Sequence, residues 1–265
     1  MLQKPRLISY IENSIAGTDP PNLAPSSIKN IRVYVPQVSE QNKIAAFLTA
    51  VDSKIEHLSK KKALLEQYKK GMMQKLFPAK DETVPELRFP GFSGEWQKSI
   101  ISDFAKVTTG NKDTQDKIDH GGYPFFVRSQ TIERINSYSY NGEAILTSGD
   151  GVGVGKNFHY IIGKFDFHQR VYCIYGFSKD VYGFFIFQYF SKHFYKRVMK
   201  LSAKNSVDSI RMAMITEMPI RLPCLKEQQK IATFLSSIDK KITLISTELN
   251  HAQSFKKSLL QQMFI

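Results

Sequence analysis

Cysteine is nearly absent. Cys173 and Cys224 are the only two in 265 residues, too few for a disulfide framework or a thiolate metal site, and no His and Cys cluster has zinc spacing. No basic leader followed by an apolar run occurs, and the aromatic stretch from Tyr182 to Phe190 is half the length needed to cross a bilayer. No membrane association and a cytoplasmic location are therefore expected. Acidic residues are in the minority: 24 Asp and Glu face 37 Lys and Arg, a net charge of +13 that favours a polyanionic partner over a small acidic substrate. Lysine on helices is often there for solvation alone, so charge by itself does not decide the point.

The common phosphate-binding and catalytic motifs are missing as well. The run Asp150-Gly151-Val152-Gly153-Val154-Gly155-Lys156 is glycine-rich, but a P-loop needs Gly where Asp150 stands and Ser or Thr where Asn157 stands. A dinucleotide fingerprint starting at Gly151 fails at Lys156, which replaces its third glycine. The run is therefore read as a tight turn with a close backbone approach, compatible with an amide contact to a phosphate. Asp19-Pro20-Pro21-Asn22 approaches the motif with which adenine methyltransferases hold a flipped base, yet Asn22 replaces the stacking aromatic. No Pro-Asp pair opens a nuclease metal site. The chain carries no cofactor motif, and any catalysis is expected from partners.

What the chain does have is a repeat. Residues 35–77 and 222–264 align without a gap at an offset of 187, and 16 of 43 positions are identical, among them Pro36, Glu40, Gln41, Lys43, Ile44, Phe47, Leu48, Asp52 and Ile55. Such likeness marks an internal duplication. Each copy opens on a proline and, apart from Gly71, contains no further Gly or Pro, so each is expected to form one long helix. Apolar residues recur at alternating spacings of four and three: Ile44, Leu48, Val51, Ile55, Leu58, Leu65, Met72 and Leu76, then Ile231, Leu235, Ile238, Ile242, Ile245, Leu249, Ala252, Leu259 and Met263. Lys62, Lys69 and Lys256 interrupt the two series. An average of 3.5 residues over several turns is a coiled-coil seam, and two such helices on either side of one domain pair most simply antiparallel. Each would be on the order of 57 Å long.

Between the helices the composition turns aromatic-rich and turn-rich. Strands are expected over 99–108, 125–129, 144–147, 160–162 and 171–175, a helix over 183–201, a loop over 202–208 and a last strand into Pro223. The fold class is α+β: a mixed domain with a curved β-sheet, plus two long antiparallel coiled-coil helices. The pattern leaves open whether the sheet closes. The expected division is a domain tail at 1–34, the first long helix at 35–77, a Pro-rich linker at 78–85, the complete domain at 86–222 and the second long helix at 223–265. The tail is inferred because Leu7 to Tyr10 resembles Ile186 to Tyr189, and Ile28 to Val35 takes the place of Ile215 to Leu222. Most of that first domain is absent, by truncation or because the gene encodes a partial subunit.

A pair of repeats reading Pro, Glu-Gln, Lys-Ile-Ala, Phe-Leu and Asp-x-Lys-Ile flanks a domain that opens Pro85-Glu86-Leu87-Arg88-Phe89-Pro90-Gly91-Phe92 and Trp96. This arrangement resembles the specificity subunit of Type I restriction-modification enzymes. The glycine run, with His168-Gln169-Arg170-Val171 after it, looks like the matching part of that family's target-recognition domain. The resemblance implies a non-catalytic reader of double-stranded DNA in bacterial defence. Each recognition domain of the family reads one half of a bipartite site, while the helices hold the halves apart and dock the modification (adenine methyltransferase) and restriction subunits. S-adenosylmethionine, ATP and Mg would then belong to those partners. The family usually carries two recognition domains, so a homodimer or a complementary half-subunit is expected to supply the second.

Base readout needs Arg, Lys, Asn or Gln at the major groove. Arg128, Gln130, Asn157, Gln169 and Arg170 are assigned to base edges and Lys112, Lys156, Lys204 and Arg211 to phosphates; Ser129, Thr131, His159 and Asn205 complete the set. Any one of them alone is also compatible with an ordinary polar loop. His168, next to Phe167, is read as a core histidine. Off the helix seams, Phe47, Leu64, Tyr68, Phe234, Leu244 and Phe255 are the expected partner contacts. The competing reading is an oligomerisation protein whose central domain binds a ligand other than DNA.

Overall fold

The computed structural model describes residues 35–202 and 209–263, the two-residue strands β1 (Ile15–Ala16) and β2 (Asn22–Leu23), and Pro25 and Lys29. The likeness of Leu7 to Tyr10 to the central domain lies outside these residues. In chain order there follow α1 (Val38–Leu76), β3 (Gln97–Ile100), the single turn α2 (Ile101–Phe104), β4 (Lys106–Thr109), β5 (Tyr123–Phe126), β6 (Ile132–Ile135), β7 (Tyr140–Ser148) and β8 (Phe158–Phe167). The chain continues with β9 (Val171–Tyr175), α3 (Gly183–Leu201), α4 (Met212–Thr216), β10 (Pro219–Leu222) and α5 (Leu225–Met263). Two compact units result, one of Met1–Tyr68 with Ile238–Ile265 and one of Lys69–Ser237. Among the described residues no helix is long and apolar enough to cross a membrane, and no cluster of His, Cys, Asp and Glu is placed to hold a metal.

The first unit contains most of α1 and the greater part of α5, paired antiparallel. Between Lys43 and Tyr68 the only positions not exposed are Ile44, Leu48, Val51, Ile55, Leu58, Lys62 and Leu65, which is the four-three seam with its lysine interruption. On α5 the seam positions Ile242, Ile245, Leu249, Ala252, Lys256, Leu259 and Met263 are likewise covered. Lys256, a charge in an apolar row, pairs with Asp52 of α1, and Phe255 meets Phe47 edge-on with ring centroids 6.4 Å apart. At its start α1 is tied down by Gln41, whose Nε2 donates to the Pro36 carbonyl at 2.7 Å.

In the second unit the repeated glutamine does the same at the start of α5, where Gln228 Nε2 donates to Pro223 at 2.9 Å. Buried in this copy, Gln228 also donates to the Asp180 carbonyl and accepts from the Tyr182 amide, which fixes the segment leading into α3. Its neighbour Glu227 is buried and receives Nε and Nη2 of Arg88, each at 2.7 Å. The Arg88 guanidinium also donates to the carbonyls of Ser93 and Gly94, so the loop ahead of the sheet is wrapped around one ion pair. Phe77, just past α1, packs on Phe185, Tyr189 and Trp96.

The main sheet has the order β4-β9-β7-β8-β5-β6, antiparallel throughout except for the parallel pair β5 and β8; β3 pairs with β10 separately. The strand expected over 99–108 is two strands broken by α2. The Asp103 carboxylate accepts from the Ile100 amide and the Ser99 hydroxyl, both at 2.8 Å, and turns the chain there. β6 and α4 are elements the sequence does not reveal. The sheet also bends back on itself: Lys112, past β4 at one edge, forms a parallel bridge with His168, past β8, and the Gln169 amide donates to the Lys112 carbonyl at 2.8 Å. This one bridge, beyond the strand ends, links the run β4, β9, β7 and β8 into a ring. Gly110 allows the approach, because a Cβ there would run into the Phe167 carbonyl group and lie 2.7 Å from the His168 carbonyl oxygen.

Inside the ring, Phe126, Ala144, Leu146, Phe165, Phe167, Val171 and Cys173 form the core. Outside it, Phe158 of β8 meets Phe190 and Phe194 of α3, with centroids 5.6 and 6.4 Å apart. This is the period-two division of a strand covered on both faces. On α3, His193 stacks on Tyr189 at 4.4 Å, and its buried Nε2 has no hydrogen-bond partner among the described residues. Burial, with Lys192 and Lys196 adding repulsion, pushes its pKa down to about 4. Below the ordinary histidine value the unfolded chain takes a proton that the native state refuses, so stability falls as pH drops from about 6.5 to about 4. The expected loss approaches about 3 kcal/mol, and urea titrations at pH 7 and pH 4.5 should show His193→Phe losing less than the parent.

Candidate nucleic-acid interface

Ring closure gathers the loops. The segments 110–113, 127–131, 149–157, 168–170 and 209–211 meet at one rim of the domain through contacts that belong to the loops themselves. Gly149 donates to the Arg170 carbonyl at 2.7 Å, Ile210 donates to Gly149 at 2.8 Å, and Asp150 forms a backbone bridge with Ser209. The glycine run turns through left-handed conformations at Gly151 and Gly155, with φ of 75° and 64°, where a side chain would be strained. Val152 at its tip is 95% exposed.

Two carboxylates organise the side chains. Asp150 accepts from Nη1 of Arg128 at 3.0 Å, and its other oxygen lies 3.8 Å from Nε of Arg170. Asp113 accepts from Nε2 of Gln169 at 2.9 Å and faces Nε2 of His168 at 3.4 Å. The Thr114 amide holds the Asp113 carboxyl below the usual carboxylate range, with His168 and Gln169 contributing. His168 is buried, and its Nδ1 accepts from the Arg170 amide at 2.9 Å; the ring proton therefore sits on Nε2, toward Asp113.

The other residues chosen from sequence fall on the same rim with different tasks. Asn157 is buried, and its Nδ2 donates to the Arg128 carbonyl and the Ser148 hydroxyl, so it braces the loop and does not present an open amide edge. His159 donates Nε2–H to the Ser129 carbonyl at 2.9 Å, and burial lowers its pKa and keeps the ring neutral. Ser129 and Thr131 close a hydroxyl turn on each other. Gln130 is exposed and donates to the Lys156 carbonyl, while the Lys156 ammonium lies over the Tyr195 ring at 5.8 Å. Lys112 sits at the ring closure and Arg211 is exposed at the start of α4; Lys204 and Asn205 lie outside the described residues. Five cations (Lys112, Arg128, Lys156, Arg170 and Arg211) stand on these loops against two carboxylates. A concentration of this kind attracts a phosphate backbone.

A family model, that of the Type I restriction modification DNA specificity domain, matches residues 2–67 and 93–253. The chain belongs to this family. Among its relatives, the Type I restriction enzyme MjaVIII specificity subunit of Methanocaldococcus jannaschii is 25% identical over 282 residues, covering 95% of this chain and 65% of the relative. The EcoDI specificity subunit of Escherichia coli is 25% identical over 167 residues, covering 63% of this chain and 36% of the relative. This chain therefore spans less than two thirds of the length of either. The fold is shared with the S subunit of a Type-I restriction-modification system from M. genitalium, at TM-score 0.72 and 15% identity over 97% of this chain and 69% of that one. It is also shared with the HsdS subunit from Thermoanaerobacter tengcongensis, at TM-score 0.54 and 15% identity over 97% and 67%.

Within this specificity domain the structure adds residues that sequence reading passes over. Asp113 and Asp150 look like unfavourable charges for an anionic ligand until their arginine and glutamine partners are seen. Tyr195 lies on α3 and reaches the rim only because Gly155 packs against it. Val152 has no polar character to attract notice, yet it is the exposed tip of the glycine run. The helix residues Phe47, Leu64, Tyr68, Leu244 and Phe255 are exposed, while Phe234 is half-buried with its ring 5.6 Å from that of Phe89.

Proposed function

We propose that this chain is the non-catalytic DNA-reading subunit of a Type I restriction-modification complex, and that the rim of the central domain reads one half of a bipartite site. The observation that carries this reading is the convergence of Arg128, Gln130, Gln169 and Arg170 with Lys112, Lys156 and Arg211 on one rim. Forked and amide side chains there suit base edges, and the lysines suit phosphates. Helices of 39 residues, about 58 Å long, exceed the roughly 34 Å of one DNA turn and serve as the spacer between half-sites.

The exposed apolar residues of the helices dock the modification and restriction subunits. Those partners supply adenine methylation and ATP-dependent cleavage, with S-adenosylmethionine, ATP and Mg bound by them, in the cytoplasm. The second half-site is read by a second copy of this chain or by a complementary half-subunit. Co-expression with the cognate modification subunit, followed by co-purification and long-read mapping of methylated adenines, tests the reading. A split motif with a fixed spacer is expected, with identical halves if two copies pair. A stable complex that methylates no defined sequence would overturn it.

A further inference from the structure

We propose that Asp150 is a positioning residue for base recognition, setting Arg128 and Arg170 as a pair of guanine-reading forks through its one carboxylate; this rests on the DNA-reading function above. The two arginines come from different loops, 127–131 and 168–170, and Asp150 from a third. One oxygen accepts a hydrogen bond from Nη1 of Arg128 at 3.0 Å, and the other lies 3.8 Å from Nε of Arg170, an ion-pair approach longer than a hydrogen bond. Their backbones are held too. Asn157 fixes the Arg128 carbonyl, while His168 and Gly149 fix the Arg170 amide and carbonyl. The Asp150 side chain is only 25% exposed, whereas the guanidinium side chains remain open at 46% and 66%.

An unrestrained surface arginine follows any nearby phosphate. A guanidinium drawn to a carboxylate at one nitrogen is kept near that anchor and still has its other N–H groups for paired donation to O6 and N7 of guanine. The same carboxylate repels phosphates, so it weakens attachment to unrelated sequence while favouring the right base. The half-site read by this domain is therefore expected to contain guanine.

The test uses the full chain with its modification subunit, as wild type, Asp150→Asn, Arg128→Lys and Arg170→Lys. Methylated adenines are mapped in cells, and the purified chains are melted and titrated with random-sequence duplex at several salt concentrations. The wild-type motif should contain guanine. Asp150→Asn should keep the wild-type melting temperature, bind random duplex several-fold more tightly at low salt, and lose about tenfold in its preference for guanine. The lysine variants keep the charge and lose the fork, so their loss should fall on the guanine preference far more than on random-duplex affinity, which decides the guanine assignment even if Asp150→Asn does not fold. If the lysine variants alter the motif and a folded Asp150→Asn does not, Asp150 is a bystander and the proposal falls while DNA reading stands. A motif without guanine, or one unchanged in all three variants, overturns it as well. Absence of any split motif in the wild type would instead sink the underlying function.

Discussion

Arg88→Leu is expected to destabilise the central unit by about 3–5 kcal/mol, because it strands the Glu227 carboxylate without a partner. That carboxylate is 1% exposed, and both its oxygens are engaged by the same guanidinium. A unit of this size should melt about 10 °C lower or more. The loss belongs to the unpaired charge and not to the attraction alone, so Arg88→Leu combined with Glu227→Leu should recover much of it. By contrast, Lys60→Ala, which breaks the exposed pair with Glu56 on α1, should leave the melting temperature nearly unchanged. Thermal melts followed by circular dichroism separate these cases. An Arg88→Leu protein that melts with the wild type would show that the ion pair does not hold the opening loop to α5.

Gly110→Ala should be at least as damaging. The added methyl group would meet backbone atoms on three counts, the Phe167 carbonyl oxygen, the Phe167 carbonyl carbon and the His168 carbonyl oxygen, none of which can swing aside as a side chain does. The ring between β4 and β8 must part, which ranks this with the rare single changes that cost more than about 4 kcal/mol. Hydrogen exchange gives the sharper reading: the Gln169 amide, bonded to the Lys112 carbonyl, should lose its protection before the amides of β7 and β8 do. Gly122→Ala serves as the control, since its added methyl group meets nothing within 4 Å. Equal losses in the two variants would mean that the close approach at Gly110 is not what closes the ring.

The long helices are legible in the sequence down to single residues, because a seam repeating every three or four positions is a local property and the duplication states it twice. Helix α3, expected over 183–201, is found at those bounds as well. The sheet is less so. β6, Ile132-Glu133-Arg134-Ile135, is a short edge strand with two charges in its middle, and its identity depends on β5 beside it. The break between β3 and β4 depends on Asp103 reaching back to Ser99, a spacing that resembles many polar pairs in loops. Ring closure depends on the segment after β4 passing close to the end of β8 at Gly110, which no periodicity announces. The rim residues are legible as types and not as roles. Asn157 has the chemistry of a base reader and is spent as a brace, while Asp150 enters the sequence argument only as the residue that spoils a P-loop and proves to be the partner of two arginines.

The bridge between Lys112 and His168 also bears on how the domain folds. β7 and β8 need close only the nine residues 149–157 between them, whereas the bridge joins positions 56 apart and the Asp150–Ser209 bridge joins positions 59 apart. Loop-closure entropy grows with that separation, so the hairpin is available early and the rim only after residue 209 has joined the fold. On the ribosome, an emerging chain therefore has its six-stranded sheet before its rim is complete, and a release or stall just upstream of α4 leaves that sheet without the 209–211 segment and without Arg211.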